Sequence, residues 1–147
     1  MTLNPNIVAD FLLCESRERG EVLTPLKLQK LMYYAQAWSV ASLNSPLFDE
    51  DFQAWVHGPV LPSQYARFRG YGWKPIDQNV SLPDLDDKIR GHLEEIVEVF
   101  GCESAVALEQ MTHQEMPWLR ARNGIASHEA CKKTIEKEWM RDYYRSL

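Results

Sequence analysis

The stretch that most constrains the fold begins at Thr24-Pro25. Thr can cap a helix, and Pro fits the first helical turn, where its missing N–H leaves no bond unmade. From there Leu28, Leu31, Met32, Ala35 and Trp38 recur at helical spacing, and Leu26, Tyr34, Ala37, Val40 and Ala41 widen the apolar surface far beyond one stripe. A helix apolar around most of its circumference has to be covered from several sides. It is therefore expected to run to about Asn44 as the central element of its domain.

Other segments supply the cover. Asn4-Pro5 repeats the start signal, Ile7, Val8, Phe11 and Leu12 follow at helical spacing to about Arg17, and Gly20 closes the element. From Asp84, the residues Leu85, Ile89, Leu93, Ile96, Val97 and Phe100 form an apolar stripe, with Asp84, Asp86 and Asp87 in the first turn and Gly101 as the stop. Ser104 caps a short helix through Leu108 and Met111, and another starts near Pro117 and ends at Asn123-Gly124. Between Pro46 and Pro62 the period changes to two: Phe52, Ala54 and Val56 alternate with Gln53, Trp55 and His57, a short strand broken by Gly58-Pro59. Pro62-Ser63 opens a helix that Gly70-Tyr71-Gly72 stops. Trp73 to Pro83 reads as loop, with a short extended piece near Ile76 to Val80. Cys131, Ile135, Trp139 and Tyr143 lie four apart, which suits one helix from Ser127 onward, while β-branched Thr134-Ile135 suits an extended piece before a shorter helix. The expected fold is mainly α: a single compact multi-helix domain over 1–147, around a central apolar helix, with a small antiparallel β element.

Composition narrows the function classes. A net charge of -5 and a pI near 5.4 argue against phosphate-backbone binding as the main activity. Cys14, Cys102 and Cys131 are scattered, with no CxxC pair, which fits reduced thiols and neither a disulfide framework nor a zinc site. The first residues lack a basic region followed by an apolar run, and no apolar stretch approaches the roughly 20 residues that span a bilayer. A cytoplasmic location without membrane contact is expected by elimination.

No catalytic spacing stands out. His57, His92, His113 and His128 form no HExxH or HxH pattern, and GxSxG, GxxxxGK[ST] and GxGxxG are missing. No catalytic residue, metal or cofactor is expected; a hydrolase or nucleotide-modifying enzyme would need folding to unite His57 with His113. The helix from Thr24 is too apolar to read a DNA groove, so specific DNA binding is not expected either.

The region from Phe52 to Trp73 is dense in aromatics, with Trp55, Tyr65, Phe68 and Tyr71 between them, interleaved with His57, Arg67, Arg69 and Lys74. Arg beside aromatics is the composition of binding hot spots. The same aromatics could instead fill the core while the cations solvate a face. The contact candidates are Trp55, His57, Tyr65, Arg67, Arg69, Tyr71 and Trp73, with Gln114 and Trp118 added. His57-Gly58-Pro59 could equally be architectural, Gly permitting an unusual backbone and Pro fixing the turn.

These residues also resemble a known family. Leu23-Thr24-Pro25-Leu26-Lys27-Leu28-Gln29-Lys30-Leu31-Met32-Tyr33-Tyr34-Ala35-Gln36-Ala37-Trp38 is similar to the opening signature of the Panacea domain of SocA-like antitoxins, which includes phage-associated members of the GepA type. Pro46 to Val60, with Trp55-Val56-His57-Gly58-Pro59, resembles its second signature, continued by Arg67-Phe68-Arg69-Gly70-Tyr71-Gly72. Leu108 to Trp118 resembles the third, and Ile135 to Tyr144 the closing segment, which favours the extended piece followed by a helix. The resemblance implies an antitoxin that neutralises a nearby-encoded protein toxin by direct contact. A related member acts instead as an adaptor delivering its toxin to a protease. Several relatives carry an added DNA-binding region, for which this chain is expected to have no room.

Overall fold

A computed structural model describes residues 2–147, and its centre is the helix marked by Thr24-Pro25. Helix α1 spans Pro5–Glu18 and α2 spans Pro25–Trp38; α2 continues into one π-helical turn, Ser39–Leu43, which ends at Asn44 in the left-handed region. Two strands, β1 (Gln53–Trp55) and β2 (Gly58–Val60), pair antiparallel with Ala54 opposite Pro59. Then come α3 (Pro62–Phe68) with a 3-10 turn (Arg69–Tyr71), α4 (Asp87–Phe100), α5 (Ala105–His113), α6 (Met116–Arg122) and α7 (Lys137–Arg145). The fold is mainly helical, one domain that holds, among the described residues, seven α-helices and a small antiparallel sheet.

Local chemistry explains the starts. The side chains of Asn4, Thr24, Asp86 and Ser104 each accept a bond from a backbone N–H in the first turn of α1, α2, α4 and α5. Helix α4 thus begins after Asp86 rather than at Asp84, with only Asp87 in its first turn. Residues 76–80 form no strand; Ile76 is buried, and its N–H reaches the Leu23 carbonyl at 2.7 Å. Near the C-terminus the extended reading holds. Thr134 bridges Gln53, the Ala54 N–H donates to the Lys133 carbonyl at 2.9 Å, and the Ile135 N–H donates to Phe52 at 2.8 Å. This late segment lies along β1 on the side away from β2.

Every residue of α2 from Leu28 to Ala37 is buried, and the helix packs against α1, α3, α4, α5, α7 and β2. Gln29, Lys30 and Gln36 lie inside that run, and each side chain bonds backbone groups of the chain in or beside the hairpin. Gln36 donates to the Phe48 carbonyl at 2.8 Å and accepts from the Leu47 N–H at 2.7 Å. Gln29 does the same at Leu61, accepting its N–H at 2.8 Å and donating to its carbonyl at 3.2 Å. Seven residues apart, the two glutamines stand on one stripe about 10 Å apart and clamp the chain on either side of the hairpin. Between them, fully buried Lys30 donates from Nζ to the Pro59 carbonyl at 2.8 Å.

Candidate functional site

The hairpin joining β1 to β2 has two faces, and the motif Trp55-Val56-His57-Gly58-Pro59 is divided between them. Gly58 and Pro59 are buried and look inward. Gly58 has φ +101°, and a Cβ there would stand 2.7 Å from Lys30 Cε and 2.8 Å from Thr112 Oγ1. Neither the backbone angle nor the space admits a side chain. Burial pushes Lys30 down to about 7, Glu109 opposing that shift. His113 lies stacked on Trp118, ring centroids 4.1 Å apart, with Nε2 buried and unbonded, and burial lowers its pKa. This underside is packed shut.

Further polar links hold the sheet from behind. Trp118 Nε1 donates to the Trp55 carbonyl at 2.9 Å. Buried Arg122 donates to the carbonyls of Ala54 at 2.8 Å, Ala126 at 2.7 Å and Glu129, with its guanidinium over the Trp118 ring. At the far end of α2, Glu115 accepts from the hydroxyls of Tyr34 and Tyr144, both at 2.7 Å. Burial raises the Glu115 pKa, and these two hydroxyls offset part of the rise.

The outer face borders an open groove of about 370 Å³. It is lined by Trp55, Val56, His57 and Val60 of the hairpin, Pro25, Leu26 and Gln29 of α2, Tyr65, Arg69, Gly72 and Trp73 from α3 and the turn after it, and Ala130, Cys131 and Lys132 of the late segment. Trp73 is 72% exposed and Tyr65 45%. Both are nonetheless held: His57 meets the Trp73 ring edge-on at 5.6 Å, and Trp55 lies 4.8 Å from Tyr65. His57 Nδ1 is 3.1 Å from Glu109.

Of the contact candidates, Trp55, His57, Tyr65, Arg69 and Trp73 therefore come together. The other four do not. Arg67 points the opposite way, onto Asp10 at 2.5 Å and over the Phe68 ring. Tyr71 is half-buried against the core, Gln114 is exposed at the end of α5 away from the groove, and Trp118 is a core residue at 2% exposure. A helical spacing argument explains Arg67: it and Arg69 are two residues apart, which on a helix means different faces. The groove also contains Lys132, which was not among the candidates. Its only sequence signal is register, because an extended segment bridging Gln53 through Thr134 brings Lys132 beside Trp55, with Nζ 5.6 Å from the ring centroid.

Among the described residues, no group of three or more His, Cys, Asp and Glu is arranged to hold a metal ion, and no helix is long and apolar enough to cross a membrane. The family model for the SocA-like antitoxin Panacea domain matches residues 28–119. The chain belongs to this SocA-like antitoxin family. It is similar to Antitoxin SocA of Caulobacter vibrioides (strain NA1000 / CB15N), 26% identical over 157 aligned residues that cover 98% of this chain and 84% of the relative. No solved structure matches it. In this Panacea chain, the matched span takes in α2 from Leu28, the hairpin and the Tyr65 to Trp73 side of the groove. Lys132 and its neighbours lie beyond it.

Proposed function

We propose that the chain is a non-enzymatic, cytoplasmic antitoxin that neutralises a protein toxin encoded nearby by binding it directly across the hairpin groove. The observation that carries this reading is a preorganised aromatic surface left open to solvent: Trp73 and Tyr65 are exposed yet braced by His57 and Trp55. Aromatic and Arg side chains around an apolar centre give large contact area at small entropic cost. Family membership supplies the toxin partner in kind. Against a hydrolytic reading stand the occupations of the two histidines, His57 with Glu109 and His113 beneath Trp118.

Co-expression with the product of the adjacent gene tests the reading. Growth is expected to be restored, and the two proteins are expected to co-purify. Failure of both would sink it. Disappearance of the partner only in the presence of a host protease would replace direct holding by delivery.

A further inference from the structure

Resting on the antitoxin reading, we propose that the groove takes an acidic apolar segment of the toxin. One large apolar side chain sits among Trp55, Tyr65 and Trp73, and neighbouring carboxylates meet Arg69 and Lys132.

The argument starts from where charge is and is not compensated. The chain carries 21 acidic residues against 16 Lys and Arg. Of the 14 Lys and Arg other than Arg69 and Lys132, six pair with a carboxylate, among them Arg19 with Glu15, Lys27 with Glu21, Arg67 with Asp10 and Lys137 with Asp51, and Arg17, Lys30, Arg122 and Arg145 donate to backbone carbonyls. The residues lining the groove include Arg69, Lys132 and His57 but no Asp or Glu. Glu109, which reaches the groove's edge, is taken up by His57. Among the described residues Arg69 forms no ion pair and no side-chain hydrogen bond, although Arg67, two residues earlier, is paired with Asp10. Lys132 faces only the Trp55 ring. Two cations without a carboxylate partner therefore border an apolar opening in an acidic protein.

That arrangement selects a partner. A carboxylate arriving beside an apolar wall meets Arg69 and Lys132 in a medium less polar than water, where the attraction is strengthened and wrong-sign surfaces are repelled. The aromatic walls reward burial of one large side chain. A nucleic acid fits less well, because its affinity grows with the number of phosphates neutralised, and two cations in a chain of net charge -5 neutralise few.

The test uses the complex with the adjacent gene's product. The double variant Arg69→Glu/Lys132→Glu, checked for an unchanged melting curve, is expected to bind at least about tenfold more weakly. Raising salt from about 50 to about 300 mM should weaken the wild-type complex more than the variant's. Lysine scanning of the toxin's Asp and Glu should find a position that restores binding to Arg69→Glu. If the double variant binds like wild type while Trp73→Ala does not, the segment is apolar without being acidic, and the proposal is overturned. If neither change matters but the complex forms and growth is rescued, the toxin sits elsewhere; the proposal falls and the antitoxin reading stands. If wild type forms no complex, both fall. Binding of a single-stranded oligothymidylate that the double variant alone abolishes, with toxin binding intact, would assign the groove to nucleic acid instead and overturn the proposal.

Discussion

The two faces of the hairpin are a few ångströms apart and obey opposite rules. On the inner face Gly58 lies against Lys30 and Thr112 with no room for a methyl group, and buried polar groups such as Lys30 and Gln29 are satisfied by backbone carbonyls and N–H groups. On the outer face Trp55 and His57 brace aromatic rings that remain in solvent. Five consecutive residues thus serve two purposes, and the buried half exists to hold the exposed half still. Rigidity beneath a contact surface lowers the cost of ordering it on binding.

The comparison can be broken most severely at Gly58. Gly58→Ala would need both a left-handed backbone and displacement of Lys30 and Thr112, and is expected to cost about 3 kcal/mol or more, lowering the melting temperature by roughly 10 °C. A variant that melts like wild type but no longer binds would move Gly58 from the scaffold to the contact surface.

Lys30 offers a second handle, through pH. Burial pushes its pKa down to about 7 in the folded protein, against 10.5 for a freely solvated lysine in the unfolded chain. Between these values the unfolded chain binds the extra proton, so stability rises with pH across this window; below about 7 the cost of burying the charge is present in full. Burial raises the pKa values of Tyr33, Tyr34 and Tyr144, and these act in the opposite sense above pH 10, where a freely solvated tyrosine ionises. Lys30→Met is expected to flatten the rise between about pH 7 and 10, measured by urea unfolding at a series of pH values. A slope identical to wild type would rule out this lysine as its source.

On the outer face the expectation reverses. Trp73→Ala should change stability by no more than about 0.5 kcal/mol, because the ring is mostly in solvent, yet weaken toxin binding by about tenfold or more in calorimetric titration. Smallest of all is Arg67→Ala. Its ion pair with Asp10 is partly solvated and worth at most about 1 kcal/mol. It faces away from the groove, so binding should be unchanged; a clear loss would extend the contact surface round α3.

Much of the architecture could be read in advance because it is written in local signals. Asn4, Thr24 and Ser104 cap their helices through bonds that span only two or three residues, and the apolar circumference of α2 foretold its central place. What escaped were features set by distant partners. Gln29, Lys30 and Gln36 look like ordinary polar interruptions of a helix until the loops they clamp are folded onto them. Trp118, like Trp73, is a tryptophan close to Arg or Lys in sequence, and only the packing of α6 against β1 separates the buried ring from the exposed one. Arg67 and Arg69 share one short basic stretch of sequence, whereas rotation along the helix sends them to different faces. Lys132 went unnoticed because its neighbour Trp55 is supplied by a strand far back in the chain.

That last pairing has a consequence in time. The hairpin leaves the ribosome well before the segment at Ala130 to Lys132 that walls the groove. At a synthesis rate of about 5–20 residues per second, the interval is roughly 4 to 14 s. During it, a nascent chain displays Trp55 without the Lys132 side of its seat. If the proposed groove is the docking site, arrested chains ending before Cys131 are expected to fail in capturing a toxin that chains extending past Lys132 bind. On the proposed docking reading, a molecule becomes competent only once the segment through Lys132 has cleared the ribosome, so protection would depend on the stock of chains that have passed that point rather than on the number being started.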